Sequence, residues 1–182
     1  MDKFTLCREE SLLLIIDIQE RLAPAMKYED KVIKNTNVLV STANEMDIPI
    51  VVTEQYPKGL GPTVPEINDE LNDAQRFEKI LFSACTDQVI KALNKEQRKK
   101  IIVVGMETHV CVFQTVRDLL ELGYEVFVVC DGVSSRFEEN HRNGLDLMKD
   151  MGAVISNTET ILFDLLKKAG TPEFKVLSRL IK

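Results

Sequence analysis

The chain has 182 residues, of which 45% are hydrophobic and 29% charged, and we expect one domain over residues 1–182 with its own core. A net charge of −6 and the lack of a basic stripe disfavour nucleic acid as a partner. The apolar runs are too short to span a bilayer, so no membrane partner is expected.

Apolar strand-like runs alternate with helical patterns along the chain. Strands are predicted at residues 12–16, 48–52, 101–104, 126–129 and 153–155, with a short apolar segment at 78–82. Helices are predicted at residues 31–47, 86–93, 112–122, 138–151 and 158–168, the last capped by Asn157 or Thr158. This alternation is typical of an α/β fold with a doubly wound, mostly parallel sheet flanked by helices, as in Rossmann-like proteins.

Two segments fall outside this alternation. Residues 54–72 form a loop that contains Pro and Gly and is long for an α/β domain, which favours a binding segment over a flexible surface excursion. After Pro172 comes an apolar tail that we interpret as a subunit interface or docking helix. Its apolar residues are Phe174, Val176, Leu177, Leu180 and Ile181.

The turn after the first strand carries no phosphate-binding motif. It reads DIQER at residues 17–21, without the glycines of a dinucleotide loop, and no GxxxxGK[ST] sequence occurs elsewhere. We therefore expect no cofactor.

The four cysteines indicate a reducing compartment. Cys7, Cys85, Cys111 and Cys130 show neither CxxC pairing nor regular spacing, so a zinc ribbon or disulfide framework is not expected. The first residues resemble neither a signal peptide nor a basic transit sequence. We expect a cytoplasmic location, with a mitochondrial one as the alternative.

Cys111 lies where a buried strand gives way to an amphipathic helix. The segment GMETHVC, residues 105–111, follows the apolar run 101–104. The unpaired N–H groups and dipole of a helix start favour a thiolate, so Cys111 is a candidate nucleophile. The alternative is a small buried cysteine that fills space.

Asp17 and Lys79 are the other candidates. Asp17 ends the first strand, and it would face Cys111 across one crevice if the strands before them were neighbours. A turn or helix-capping aspartate is the alternative. Lys79 interrupts an apolar segment, which places it either at an exposed edge or in a polar site.

Taken in order, these residues resemble the isochorismatase-like cysteine hydrolases. The elements are Asp17 after a strand, Lys79 followed by Phe82-Ser83, and GMETHVCV with Gln114-Thr115. The resemblance covers about residues 12–163. The loop TEQYPKGLGPT at residues 53–63 is most similar to that of the small, single-domain members.

The resemblance implies a role for each residue. Cys111 would be the nucleophile, Asp17 its general base and Lys79 the neighbouring cation. The backbone N–H groups of Glu107 and Cys111 would form the oxyanion hole, with a cis peptide between Met106 and Glu107. Glu54, Gln55 and Tyr56 are candidates for binding a small-molecule substrate. Small members are usually oligomeric, so a homo-oligomer is expected.

Departures from the family narrow the activity. Nicotinamidases of this fold carry an Asp-x-His metal motif after the second strand, where this chain has TEQY at residues 53–56. Its two histidines are His109, to which we assign a structural role, and His141, which lies in a polar helix start and is expected in solvent. No metal is expected, and nicotinamidase activity is in doubt.

A retained cysteine favours acyl or amide hydrolysis over the vinyl ether chemistry of isochorismatases, which does not require one. Three alternatives stay open at this stage. They are a vinyl ether hydrolase, a catalytically idle oligomeric interaction module, and a thiol redox sensor, since an exposed thiolate also oxidises readily.

Overall fold

The computed structural model describes residues 2–71 and 73–181. Within them, parallel strands form a six-stranded sheet in the order β3-β2-β1-β4-β5-β6. The strands are β1 (Ser11–Ile16), β2 (Ile50–Gln55), β3 (Gln75–Lys79), β4 (Lys100–Met106), β5 (Glu125–Ser134) and β6 (Val154–Ser156). The predicted doubly wound α/β fold is confirmed.

Helices cover both faces of this sheet. In chain order they are α1 (Glu29–Glu45), α2 (Pro57–Leu60), α3 (Pro65–Asn68), α4 (Asp87–Glu96), α5 (Phe113–Glu121), α6 (Glu138–Asp150), α7 (Thr158–Leu166) and α8 (Pro172–Leu177). A wide π-helical turn, Thr108–Val112, precedes α5. Among the described residues, no helix has the length and apolar character needed to cross a membrane.

All strands except the edge strand β3 contribute to two hydrophobic cores because their side chains alternate between the faces of the sheet, whereas β3 adds Phe77 to one core. Leu13 and Ile15 of β1 pack with α1, α7 and α8, whereas Leu12, Leu14 and Ile16 pack with α4, α5 and α6. All six residues of β1 are buried. The unbroken apolar runs of the sequence therefore reflect strands covered on both sides.

The strand order reverses at β1, which creates the crevice where open α/β sheets bind ligands. The chain passes from β1 outward to β2 and β3, then returns to place β4 on the other side of β1. Ile16 of β1 pairs with Gly105 of β4, so the residues after these two strands lie beside each other. The condition that the sequence left open for Asp17 and Cys111 is met.

The element bounds differ from the predicted ones in two places near this crevice. β3 comprises Gln75–Lys79, not the apolar segment 78–82, and Ile80, Leu81 and Phe82 are exposed after it. The predicted loop 54–72 starts inside β2 and contains α2 and α3; its last residue, Asn72, lies outside the described residues. The loop is thus a folded segment.

The apolar tail packs against its own domain. Leu177 of α8 is fully buried in the core that contains α1 and α7, and Phe174, Leu180 and Ile181 pack against the same core. Val176 is the tail residue that stays half-exposed. The tail therefore docks on the domain to which it belongs, and a subunit interface at its exposed surface stays a prediction.

Gly105 is required by the close approach of β4 to β1. Its φ is +141°, and a Cβ there would lie 2.2 Å from the carbonyl oxygen of Ile16. We expect Gly105→Ala to lower the free energy of unfolding by about 3 kcal/mol or more, from backbone strain and overpacking combined. Urea denaturation measures the change.

Gly123→Ala is the matched control for this substitution. Gly123 also has a positive φ, +85°, but a Cβ there would meet no atom within 4 Å. It should lower the free energy of unfolding by about 1 kcal/mol, from backbone strain alone. Equal losses for the two variants would show that contact with β1 does not require glycine at position 105.

Candidate active site

Asp17 sits at the carboxyl end of β1 in a left-handed conformation with φ of 54°. Aspartate is one of the few non-glycine residues that adopt this region readily. The Asp17 backbone N–H donates to the Thr53 carbonyl at 3.1 Å, and its carboxylate accepts from the Thr53 hydroxyl at 2.8 Å. The residue is fully buried, so β2 fixes the direction in which its carboxylate points.

Lys79 reaches this carboxylate from the edge of the sheet. Its Nζ lies 2.5 Å from Asp17 Oδ2, and neither side chain is exposed. The ammonium also donates to Gln55 Oε1 at 2.8 Å and to two backbone carbonyls, those of Phe82 at 3.0 Å and Leu81 at 3.2 Å. Lys79 therefore lies on an edge strand, yet its side chain points into a buried polar site.

Cys111 completes the group from the turn after β4. Its thiol lies close enough to Asp17 and Lys79 for both charges to act on it, and the residue is 6% exposed. Burial, followed by the charge of Asp17, raises the pKa of Cys111 to about 12, which outweighs the opposing effect of Lys79. The sequence-based expectation of a resting thiolate is wrong because burial and Asp17 outweigh a helix terminus.

The turn between β4 and α5 presents the backbone groups that the sequence singled out. The Met106–Glu107 peptide is cis, as the resemblance implied. The Glu107 carbonyl accepts from the N–H groups of Val110 at 3.0 Å and Val112 at 3.2 Å, which folds the turn tightly around Cys111. The N–H groups of Glu107 and Cys111 both belong to this turn, and their role as oxyanion donors stays a prediction.

Thr115 links the two sides of the site. Its fully buried hydroxyl donates to the Cys111 carbonyl at 2.6 Å and accepts from the Ala84 N–H at 2.8 Å. Ala84 follows the loop whose carbonyls hold Lys79. Thr115 thus connects the turn that holds Cys111 to the loop after β3.

Gln19 is a site residue that sequence reasoning missed. Its buried amide donates to the carbonyls of Gln55 and Gly61, and its oxygen accepts from the Gln55 N–H at 2.7 Å. Gln19 therefore ties the loop after β2 to the end of β1. A glutamine three residues beyond a buried strand, opposite a Gly- and Pro-containing loop, is the signal that could have found it.

The three candidates for substrate binding lie in different surroundings. Glu54 Oε1 accepts from both the N–H and the hydroxyl of Thr63 at 2.7 Å, which holds the loop closed on itself. Gln55 binds Lys79 and donates to the Ile80 carbonyl at 2.8 Å. Tyr56 is 56% exposed, with Gly59 against its ring. Tyr56 is therefore the member of this set whose side chain faces solvent.

The two histidines lie at the turn that contains Cys111. His109 Nδ1 lies 3.0 Å from the Ser135 hydroxyl. His141 Nδ1 lies 3.0 Å from the Thr108 hydroxyl, and the residue is only 8% exposed. The expectation that His141 is in solvent is wrong, because α6 presses this polar helix start against the turn. Residues 2–71 and 73–181 contain no group of three or more His, Cys, Asp or Glu side chains placed to hold a metal ion.

Comparison with known proteins assigns the family. The isochorismatase domain family model matches residues 11–160. The secreted isochorismatase effector Isc1 of Phytophthora sojae is 43% identical over 177 residues, which cover 94% of this chain and 84% of that protein. Isochorismatase family protein 1A of Dictyostelium discoideum is 41% identical over 170 residues, covering 91% of this chain and 82% of that protein.

A solved structure agrees with this assignment. The MAR1 ribonuclease of Caenorhabditis elegans superposes with a TM-score of 0.93 at 37% identity, over 97% of this chain and 92% of that one. The chain therefore belongs to the isochorismatase family and is an isochorismatase-like hydrolase in fold.

Removal of the Asp17 charge should make Cys111 more acidic. Asp17→Asn deletes an anion that raises the pKa of Cys111 and leaves the Lys79 cation to pair with a thiolate. We expect alkylation of Cys111 by iodoacetamide at pH 8 to become about tenfold faster, the effect of one pKa unit. Peptide mass spectrometry at several times measures the rate.

Cys85 is the internal control for this experiment. Burial raises its pKa to about 11, and Asp17 is not among the causes of its shift. Its labelling rate should not change in the Asp17→Asn variant. Slower labelling of Cys111 in that variant would contradict the assigned direction of its pKa.

The Asp17–Lys79 pair should show strong coupling in stability. Lys79→Met leaves a buried carboxylate without its counter-charge, and we expect a loss of about 3–5 kcal/mol of unfolding free energy at pH 7. The double variant Asp17→Asn/Lys79→Met removes both charges and should recover most of that loss. Urea denaturation of the four proteins in the cycle gives the coupling energy.

The loss in Lys79→Met should depend on pH. Burial raises the pKa of Asp17, and without the cation the carboxyl group stays protonated in the folded state over a wider range. Above pH about 3.9 the unfolded state releases this proton, so both proteins lose stability alike until Asp17 ionises in the folded wild type. The deficit of Lys79→Met should grow from that pH upward and be smallest in acid. A deficit independent of pH would contradict an uncompensated Asp17 as its cause.

Proposed function

We propose that this protein is a metal-independent cysteine hydrolase that cleaves a small amide or related acyl substrate through a thioester. The observation that carries the proposal is the buried Asp17–Lys79 ion pair, with the Cys111 thiol near enough for both charges to act on it. A base, a cation and a nucleophile close together at the carboxyl ends of parallel strands form the arrangement that nucleophilic catalysis requires.

The first step would be attack of the Cys111 sulfur on the substrate carbonyl carbon. Because the pKa of the thiol is about 12, its proton passes to Asp17 as the C–S bond forms, rather than before substrate arrives. Burial raises the pKa of Asp17, which makes this carboxylate a stronger base than one in water. Lys79 keeps the positive charge beside both groups throughout the transfer.

The tetrahedral oxyanion would be stabilised by the N–H groups of Glu107 and Cys111. Collapse of this intermediate breaks the C–N bond, and Asp17 gives its proton to the departing amine. Water then attacks the thioester, with Asp17 as the base that accepts the water proton. Collapse of the second tetrahedral intermediate releases the acid and returns the proton to the Cys111 sulfur.

The residues at the end of β2 support a mechanism without a metal. Glu54 is hydrogen-bonded to Thr63, and Gln55 to Lys79, so these residues hold the loop and the cation.

The physiological substrate is proposed only as a class, a small molecule with an amide or activated acyl group. Cytoplasmic action and self-association belong to the same proposal. Exposed Ile80, Leu81 and Phe82 beside Lys79 support self-association.

An RNA substrate is the second candidate, since the Caenorhabditis elegans relative is named a ribonuclease. The net charge of −6 opposes it, because binding to a phosphate backbone draws on clustered Lys and Arg. Incubation with a labelled single-stranded RNA decides the matter. If the wild type cleaves the RNA and Cys111→Ala does not, a ribonuclease activity replaces the amide proposal. If the RNA stays intact, the amide proposal stands.

Acylation of Cys111 is the direct test of the proposed mechanism. With p-nitrophenyl acetate as the probe, we expect a burst of nitrophenol equal to the enzyme present, and mass spectrometry should find one acetyl group on Cys111. Cys111→Ala should abolish the burst. Removal of the nucleophile should lower turnover of any amide substrate by a factor on the order of 10³ or more.

Cys85→Ala is the matched control, because Cys85 is also a partly buried thiol but does not contact Asp17. It should retain the burst in full. If neither the wild type nor this control is acylated, the hydrolase proposal is wrong. Size-exclusion chromatography that then shows one unchanged assembly for the wild type and Cys111→Ala would favour the interaction-module alternative.

A further inference from the structure

Residues 107–112 form the turn that holds Cys111, which we call the nucleophile turn. Its first three residues each form a hydrogen bond with the same neighbouring segment. Glu107 Oε2 accepts from the N–H and the Nε of Arg136, both at 3.1 Å. Thr108 is hydrogen-bonded to His141, and His109 to Ser135. These partners lie within residues 135–144, which we call the clamp segment. It comprises the loop after β5 and the first turns of α6.

The clamp segment also contacts the backbone of the turn. A Cβ at Gly144 would lie 3.1 Å from the Cα and N of His109 and from the carbonyl carbon of Thr108. Gly144 is one helical turn after His141, so both face the same way from α6. The first turns of α6 therefore contact the nucleophile turn through a glycine and a hydrogen-bonding histidine.

His141 is built into this contact. Thr108 is fully buried and His141 nearly so, and the ring of Tyr28 meets the imidazole edge-on with centroids 6.1 Å apart. Burial lowers the pKa of His141, although Glu138 opposes the shift, so the neutral ring is favoured. The imidazole is held by packing on one side and bound to Thr108 on the other, which leaves it little freedom to move.

We infer that His141 is a positioning residue that, through Thr108, fixes the N–H of Glu107 in the direction needed for oxyanion binding. This inference rests on the proposed hydrolase function. Thr108 is bonded directly to Glu107, so anchoring its side chain restricts rotation of the peptide units beside it. Donors in an oxyanion hole act through preorganised direction, and a loose donor loses most of its effect. The His141 ring contacts Thr108 and, in this proposal, does not contact the substrate.

Two reactions of the same sulfur separate positioning from general damage. Acetylation of Cys111 by p-nitrophenyl acetate passes through a tetrahedral oxyanion, whereas alkylation by iodoacetamide displaces iodide and forms none. We expect His141→Leu to slow acetylation by about 10- to 100-fold, somewhat less than the loss of a complete oxyanion donor. Alkylation of Cys111 should stay within about twofold of the wild type, because Asp17 and Lys79 are untouched.

Conservative variants identify the hydrogen bond as the cause. His141→Asn places a polar atom close to the position of Nδ1 and should restore acetylation to within about threefold of the wild type. Thr108→Val should match His141→Leu, and the double variant should be no slower than either, since all three remove one interaction. Thr108→Ser should react like the wild type.

Thr42→Val is the matched control. Thr42 is a buried threonine of α1 whose hydroxyl donates to the Val38 carbonyl at 2.7 Å, away from the turn. It should leave both reaction rates unchanged. The comparison shows that the effect of Thr108→Val comes from its position beside His141 and not from removal of a buried threonine hydroxyl in general.

Each other outcome has a distinct meaning. No acetylation of Cys111 in the wild type would refute the proposed function itself. A wild type that is acetylated, with His141→Leu slowed equally in both reactions or in neither, would overturn the positioning role and leave the hydrolase proposal standing. The same conclusion follows if His141→Asn reacts as slowly as His141→Leu.

Discussion

The site is organised around the buried ion pair of Asp17 and Lys79. Two unit charges taken out of water are stable only when each is bound by partners of the right kind. Asp17 obtains them from Lys79 and Thr53, and Lys79 from Gln55 and two backbone carbonyls. The pair therefore determines where the end of β1, the end of β2 and the loop after β3 must lie.

The two sides of the crevice contribute different things. The side formed by β1, β2 and β3 supplies charge, because it carries Asp17 and Lys79. The side formed by β4, β5 and α6 supplies direction, because the turn that holds Cys111 is bound there through Glu107, Thr108 and His109. Thr115 is hydrogen-bonded to both. A high thiol pKa fits this division, since the carboxylate that accepts the proton is already in place.

The sequence predicts those parts that depend on local pattern. The strands around residues 12–16 and 101–104 are recognisable because both faces are covered and every residue is apolar. The third strand was not predicted, because Gln75–Lys79 carries charges at a sheet edge, and the apolar residues Ile80, Leu81 and Phe82 that follow it are exposed. An edge strand lacks the unbroken apolar run that burial on two faces imposes.

The remaining differences come from contacts between distant parts of the chain. His141 has polar neighbours in sequence, and only the close approach of Gly144 to the turn buries it. Gln19 gains its role from a loop more than 35 residues away, through Gln55 and Gly61. The pKa of Cys111 likewise depends on burial and on Asp17, neither of which a motif contains. Family membership and residue types could be inferred from the sequence, but not the environment that sets their acidity.

The position of Lys79 on an edge strand affects how easily the sheet opens by local unfolding. Edge strands usually open most easily, since only one neighbour holds them. If β3 separated from β2, Lys79 would leave with it, and the Asp17 carboxylate would stay behind among apolar side chains without its cation. Such partial opening therefore costs more than the opening of an edge strand that carries no buried charge. Of the two edges of this sheet, β3 should consequently retain its amide protons longer than β6.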